Sequence, residues 1–157
     1  MNNTIMAQKV VEIDNKSQQI LRILSENCKI SSKELSKKTR IPLTTIYHRI
    51  KRLNQSGIIK KYSIEIDQKK LGVNLCAYIM ASVHYDPEGK TSQKEIAKKI
   101  KKLNFVESVD IITGEMDLII KVRAKNIQQL NKLITEELRN IKGIDKTITL
   151  TVLEEVD

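Results

Sequence analysis

Seven residues within nine positions, Thr44, Thr45, Tyr47, His48, Arg49, Lys51 and Arg52, gather hydroxyls, a phenol, an imidazole and three cations on one short stretch of chain. Such groups donate to phosphate oxygens and meet base-pair edges, provided that one element presents them together. Phosphate contacts position a protein, whereas base contacts carry sequence information. Lys51, Arg52 and Arg49 are therefore assigned to phosphates, Thr44, Thr45 and His48 to base readout, and Tyr47 to the groove edge. A second group surrounds Gly114, where the carboxylates of Glu115 and Asp117 and the turn's backbone amides could hold the ammonium and carboxylate of a zwitterion. A third, His84, Asp86 and Glu88, alternates near a strand end, but three such residues in a loop are more often solvated than metal-bound. There is no serine nucleophile motif, no phosphate-cradling glycine loop and no cysteine cluster, so no catalytic or metal site and no cofactor is expected.

The first group needs a helix, and the local signals supply one. Leu43 to Ser56 follows Pro42, whose fixed φ suits a first helical position, and precedes Gly57, a left-handed C-cap. At 100° per residue, Ile46, Ile50 and Leu53 share a narrow stripe, with Thr44, His48, Lys51, Arg52 and Gln55 opposite and Thr45 and Tyr47 on the flanks. Ahead of it, Asp14 to Leu24 begins on an N-cap residue, and Ser31-Ser32-Lys33-Glu34 is a capping box opening a helix to about Lys38. Two short helices, a turn and a third, basic helix predict a helix-turn-helix, winged-helix-like unit over residues 1–60. An ordinary surface helix would explain the wheel, but neither the turn and capping box ahead of it nor the charge.

That charge is concentrated. Of a net +9 in 157 residues, residues 1–62 carry 13 Lys or Arg against 4 Asp or Glu, while the remainder carries 15 of each. The excess predicts a head that attracts polyanions and a neutral second unit with another task. An apolar fraction of 40% is enough for a core, and no run approaches a membrane span or a signal-type block, so a cytoplasmic protein without membrane association is expected. Cys28 and Cys76 have no metal-type spacing and read as reduced thiols.

Ile58 to Asp67 alternates Tyr62, Ile64 and Ile66 with polar residues, which predicts a strand linking the two units, and the β-strand linker is set at residues 61–73. Residues 74–157 then read as a strand over Asn74 to Tyr85, a turn at Asp86-Pro87-Glu88-Gly89, a helix capped by a second box from Ser92 to Glu95, and strands over Val106 to Thr113 and Leu118 to Ala124. A helix from Asn126 and a strand over Lys146 to Leu153 follow. This order, βαββαβ, predicts a ferredoxin-like α+β domain with both helices on one sheet face. The other face also carries apolar side chains, which predicts at least a homodimer.

At these residues the chain resembles the Lrp/AsnC transcriptional regulators, or feast/famine regulatory proteins, from about Ile13 to Val156. The resemblance rests on IDNKSQQILRIL, ISSKELSKKTRIPLTTIYHRIKRLNQSGIIKKY, IDQKKLG, TGEMDLIIKV and GIDKTITLTVLEEV. It implies a head that binds a roughly palindromic double-stranded DNA site, a strand linker, and a domain that dimerises through its sheet and often assembles to octamers. It further implies a small effector, usually an amino acid, at Thr113, Gly114, Glu115 and Asp117, with Thr147 and Thr149 nearby. Met116 departs from the family's Tyr or Phe, and Pro42 from its common Ser. Siroheme decarboxylases resemble this family too, but need a tetrapyrrole pocket lined by cations and His, whereas this chain has two His and a basic third helix. A non-enzymatic, amino-acid-sensing partner of another regulator is the remaining alternative, so the expectation is a regulator and not an enzyme.

Overall fold

A computed structural model describes residues 12–84 and 92–156; the turn expected at residues 86–89, with Asp86 and Glu88, lies outside the described residues. The chain divides into two compact units, Met1–Ile66 and Asp67–Asp157.

In the first unit, α1 (Asn15–Glu26) starts where the Asp14 carboxylate accepts from the Ser17 amide at 3.0 Å. Helix α2 (Ser32–Thr39) opens on the expected capping box: the Glu34 amide donates to Ser31 Oγ and the Ser31 amide to Glu34 Oε2, at 3.2 and 3.0 Å. Arg40, in the left-handed region at φ +57°, turns the chain toward α3 (Leu43–Gln55). Pro42 stands one residue earlier than expected, at the N-cap, and offers no side-chain cap. Gly57, at φ +73°, follows the helix as anticipated. Ile20, Leu35, Ile41, Ile46 and Leu53 form the buried core, with Ile50, Ile58 and Ile59 packed around it.

Among the described residues, the strand expected over Ile58 to Asp67 is not formed. Residues 60–66 belong to no regular element, and none of their backbone amides donates to another described residue. Alternation of side chains defines which faces a strand would have, but the ladder needs a neighbouring strand, and none among the described residues pairs with this segment.

The second unit runs β1 (Leu75–Val83), α4 (Gln93–Ile100), β2 (Val106–Ile111), β3 (Leu118–Ala124), α5 (Ile127–Lys132) and β4 (Ile144–Thr151). The sheet order is β2-β3-β1-β4 with every neighbouring pair antiparallel, so the predicted βαββαβ arrangement is realised with β1 and β3 central. Ser92 accepts from the Glu95 amide and starts α4. One sheet face buries Ala77, Ile79, Ala81, Leu118, Ile120, Val122 and Ala124 against Ile96 and Ile100 of α4 and Leu130 of α5. After α5 the chain widens into a π-helical stretch, Leu133–Leu138, which the 3.6-residue reading did not anticipate. The Arg139 amide reaches back five residues to the Ile134 carbonyl, and Leu133 and Leu138 are both buried.

The opposite face carries Tyr78, Met80, Ile119, Ile148 and Leu150 beside an ionic cluster. There the Arg123 guanidinium meets Glu155 through two parallel bonds of 2.8 and 2.9 Å and Glu107 through Nε at 2.9 Å. The bidentate partner holds the Glu155 carboxyl below its ordinary range.

Phe105, just before β2, adopts φ +71° and is 44% exposed. For a residue with a Cβ this region costs about 1–2 kcal/mol, which glycine avoids. At this position Phe105→Gly should therefore be more stable than Phe105→Ala by about 1 kcal/mol, the reverse of the usual order. Urea denaturation of the two variants checks this; an alanine variant as stable as the glycine variant would show that the backbone relaxes freely here.

Candidate nucleic-acid interface and ligand turn

Burial of Ile46 and Leu53 turns the opposite side of α3 outward. Thr44, Tyr47, His48, Lys51 and Arg52 are exposed, Tyr47 to 62%, and Thr45 is half-buried. Among the described residues, the side chains of these six form no hydrogen bond or ion pair within the chain. Their donors and charges are therefore uncommitted. The Tyr47 and His48 rings meet edge to face, centroids 5.8 Å apart. Thirteen helical residues span about 20 Å, enough to lie along a major groove.

Arg49 is placed differently from the other six. Its Nη1 donates to Asp14 Oδ1 and, at 2.8 Å, to Ser17 Oγ; its side chain is only 25% exposed, and its Nε is buried with no partner. It borders a groove of about 440 Å³ between the start of α1 and α3, which Ser17, Thr45, His48, Arg52 and Ser56 also line. On the wheel Arg49 lies about 60° from Ile46, at the rim of the buried stripe, and this was the signal in the sequence that set it apart. Nothing local announced its partner 35 residues away. Ser17, buried to 8% exposure, was likewise missed. Ser17's side chain and amide, with the Arg49 guanidinium, hold the Asp14 carboxyl down at about 2.

At the other candidate site, Thr113, Gly114 and Glu115 are exposed on the turn between β2 and β3, with Gly114 at φ +127°. Met116 is buried and Asp117 half-buried. Both carboxylate oxygens of Asp117 already have donors: the Val83 amide at 2.7 Å and the Gln93 side chain at 2.6 Å. Its amide also donates to Ala81, so Asp117 ties the turn to β1 and α4. Thr147 lies across from Ala81, at the same end of the sheet as the turn. Thr149 lies two residues further along, opposite Ile79, and lines a cleft of about 390 Å³ against α5 with Thr151, Gln128 and Asn131. The structure thus gathers Thr113, Gly114, Glu115, Asp117 and Thr147 at one end of the sheet and sets Thr149 apart. Among the described residues there is no group of three or more His, Cys, Asp or Glu placed to hold a metal, and no helix is long and apolar enough to cross a membrane.

A three-helix head with an uncommitted basic helix, followed by an antiparallel βαββαβ unit, defines a DNA-binding head joined to a sheet domain. Residues 13–60 match the winged helix-turn-helix DNA-binding family, and residues 78–157 match the Lrp/AsnC ligand binding domain. The chain belongs to the Lrp/AsnC family and is a DNA-binding transcriptional regulator with a ligand-binding domain. An uncharacterised HTH-type transcriptional regulator of Pyrococcus furiosus is 39% identical over 148 residues, covering 92% of this chain and 97% of that protein. The HTH-type transcriptional regulator FL11 of the same organism is 35% identical, over 90% of each chain. Among solved structures, Escherichia coli AsnC superposes with a TM-score of 0.79 at 27% identity, over 92% of this chain and 95% of its own. A Neisseria meningitidis transcriptional regulator in complex with L-methionine shares the fold, with a TM-score of 0.85 at 22% identity over 93% of each chain.

The Asp14 carboxyl makes a prediction about acid stability. Its folded value of about 2 lies below the ordinary 3.8, so its contribution is complete above about pH 4 and is lost as pH falls toward 2. Asparagine caps a helix as well as aspartate does but does not titrate. Asp14→Asn should therefore melt lower than the parent chain at neutral pH, and the difference should shrink between pH 4 and 2 in circular-dichroism melts. A constant difference across that range would mean that Asp14 is not held ionised by its partners.

Proposed function

We propose that α3 enters the major groove of double-stranded DNA, with Thr44, Thr45 and His48 toward base edges, Tyr47 at the groove rim, and Lys51 and Arg52 on phosphates. The observation that carries this reading is the uncommitted state of those six side chains on a helix whose other side is buried. The basic excess of the first 62 residues supports it, since clustered positive charge steers a protein to a polyanion. Arg49 leaves the phosphate-binding set, because its guanidinium is engaged by Asp14 and Ser17.

The protein acts in the cytoplasm as a homodimer that buries the open sheet face, and dimers assemble further to an octamer. The apolar Tyr78, Met80, Ile119, Ile148 and Leu150 support burial of that face. Two-fold symmetry then calls for a roughly palindromic site with half-sites spaced by whole turns of about 10 base pairs. The effector is a small molecule, an amino acid, held near Thr113, Gly114, Glu115 and Thr147, with Asp117 shaping the turn; Thr149 belongs to the neighbouring cleft. The L-methionine complex of the Neisseria relative supports this ligand class. An effector changes DNA affinity only to the extent that it binds one assembly or head arrangement better than another.

Fluorescence anisotropy with a fragment selected by the protein from random sequences, and with an unselected fragment of equal length, tests the groove reading across a salt series. Lys51→Ala should weaken both fragments alike and lower the salt slope by about one, whereas Thr45→Ala should reduce preference for the selected fragment alone. Equal loss on both fragments for Thr45→Ala would overturn the division of labour. Sedimentation velocity at micromolar concentration should show a dimer or larger species; a monomer would overturn burial of the open face.

A further inference from the structure

We propose that Arg49 is a positioning residue for DNA readout: with Asp14 and Ser17 it fixes the roll of α3 against the start of α1, and so sets operator preference without touching DNA. The inference rests on the groove reading of α3.

Burial of Ile46 and Leu53 holds α3 against the core, but apolar contact is non-directional and restrains the rotation of a helix about its own axis only loosely. Directional bonds are needed to fix that rotation. The bonds from Arg49 Nη1 to Asp14 Oδ1 and Ser17 Oγ are the side-chain bonds that connect α3 to α1 among the described residues. They end on an anchored target, since the Asp14 carboxylate also receives the Ser17 amide that starts α1. Arg49 follows His48 directly and lies one turn beyond Thr45, so a change in its tether is transmitted to both readout side chains with little lever arm. The same three residues border the groove that Thr45, His48 and Arg52 line.

Plain electrostatics makes opposite predictions. If Arg49 served as a phosphate contact, Arg49→Gln would weaken all DNA alike and lower the salt slope by about one. Asp14→Asn, by removing a negative charge near the interface, would strengthen all DNA binding. As a positioning pair, each substitution should instead reduce the preference for the selected fragment over the unselected one by about tenfold, leaving the salt slope unchanged. The double variant should lose no more preference than either single variant, because one tether is broken in each case. Asp14→Ser, which keeps a capping oxygen but no charge, repeats the test should the asparagine variant fold poorly, and circular dichroism confirms folding of each.

Retention of full preference by Arg49→Gln, or additive losses in the double variant, would overturn the proposal while leaving the groove reading intact. A parent chain that bound selected and unselected fragments equally would overturn both.

Discussion

The first unit depends on one constraint: about fifty residues must find a core with five fully or nearly buried apolar side chains, Ile20, Leu35, Ile41, Ile46 and Leu53. So small a unit has little apolar surface to spare, and its helices are positioned by which of their faces can be buried. Helix α3 contributes Ile46 and Leu53, and everything on its opposite side is left to solvent. The polar, cationic surface is thus a consequence of packing as well as of composition. The turn at Arg40 and Ile41 sets where that surface points, because Ile41 is itself part of the core.

In the second unit the equivalent constraint is the central pair β1 and β3, whose register places Ile79 opposite Ile120 and Ala81 opposite Leu118. The strand order that results leaves one face for α4 and α5 and one face open. Asp117 sits at the end of this sheet, beside the Gly114 turn. Its carboxylate is spent on the Val83 amide and Gln93, which holds the Gly114 turn in place beside the end of β1. Glu115, two residues away, is exposed.

How much of this could be read from the sequence follows from the range of each interaction. The capping box at Ser31 and Glu34, the cap at Asp14 and the Gly57 turn each lie within four residues, and each is found where the residue types placed it. The stripe in α3 also announced its element, because burial of one face is encoded at fixed spacing. Arg49 read as another cation on a basic helix, since its partner is 35 residues away and only the fold brings Asp14 to it. The bond that Asp117 accepts was hidden for the same reason: Val83 is 34 residues distant. The π-helical stretch at Leu133–Leu138 escaped a 3.6-residue count by construction, and the strand over Ile58 to Asp67 was expected from side chains alone when a strand is completed by a neighbour's backbone.

That segment has a kinetic meaning. Tyr62, Ile64 and Ile66 are exposed, and the amides of residues 60–66 donate to no described residue. Amide protons without an acceptor trade with solvent deuterium almost as fast as those of an unfolded peptide, whereas amides in helices or sheets wait for an opening event. Where those amides meet no acceptor, residues 60–66 carry a set of fast clocks between two slow ones, and any neighbour whose backbone pairs with them would be recorded as a local slowing of exchange.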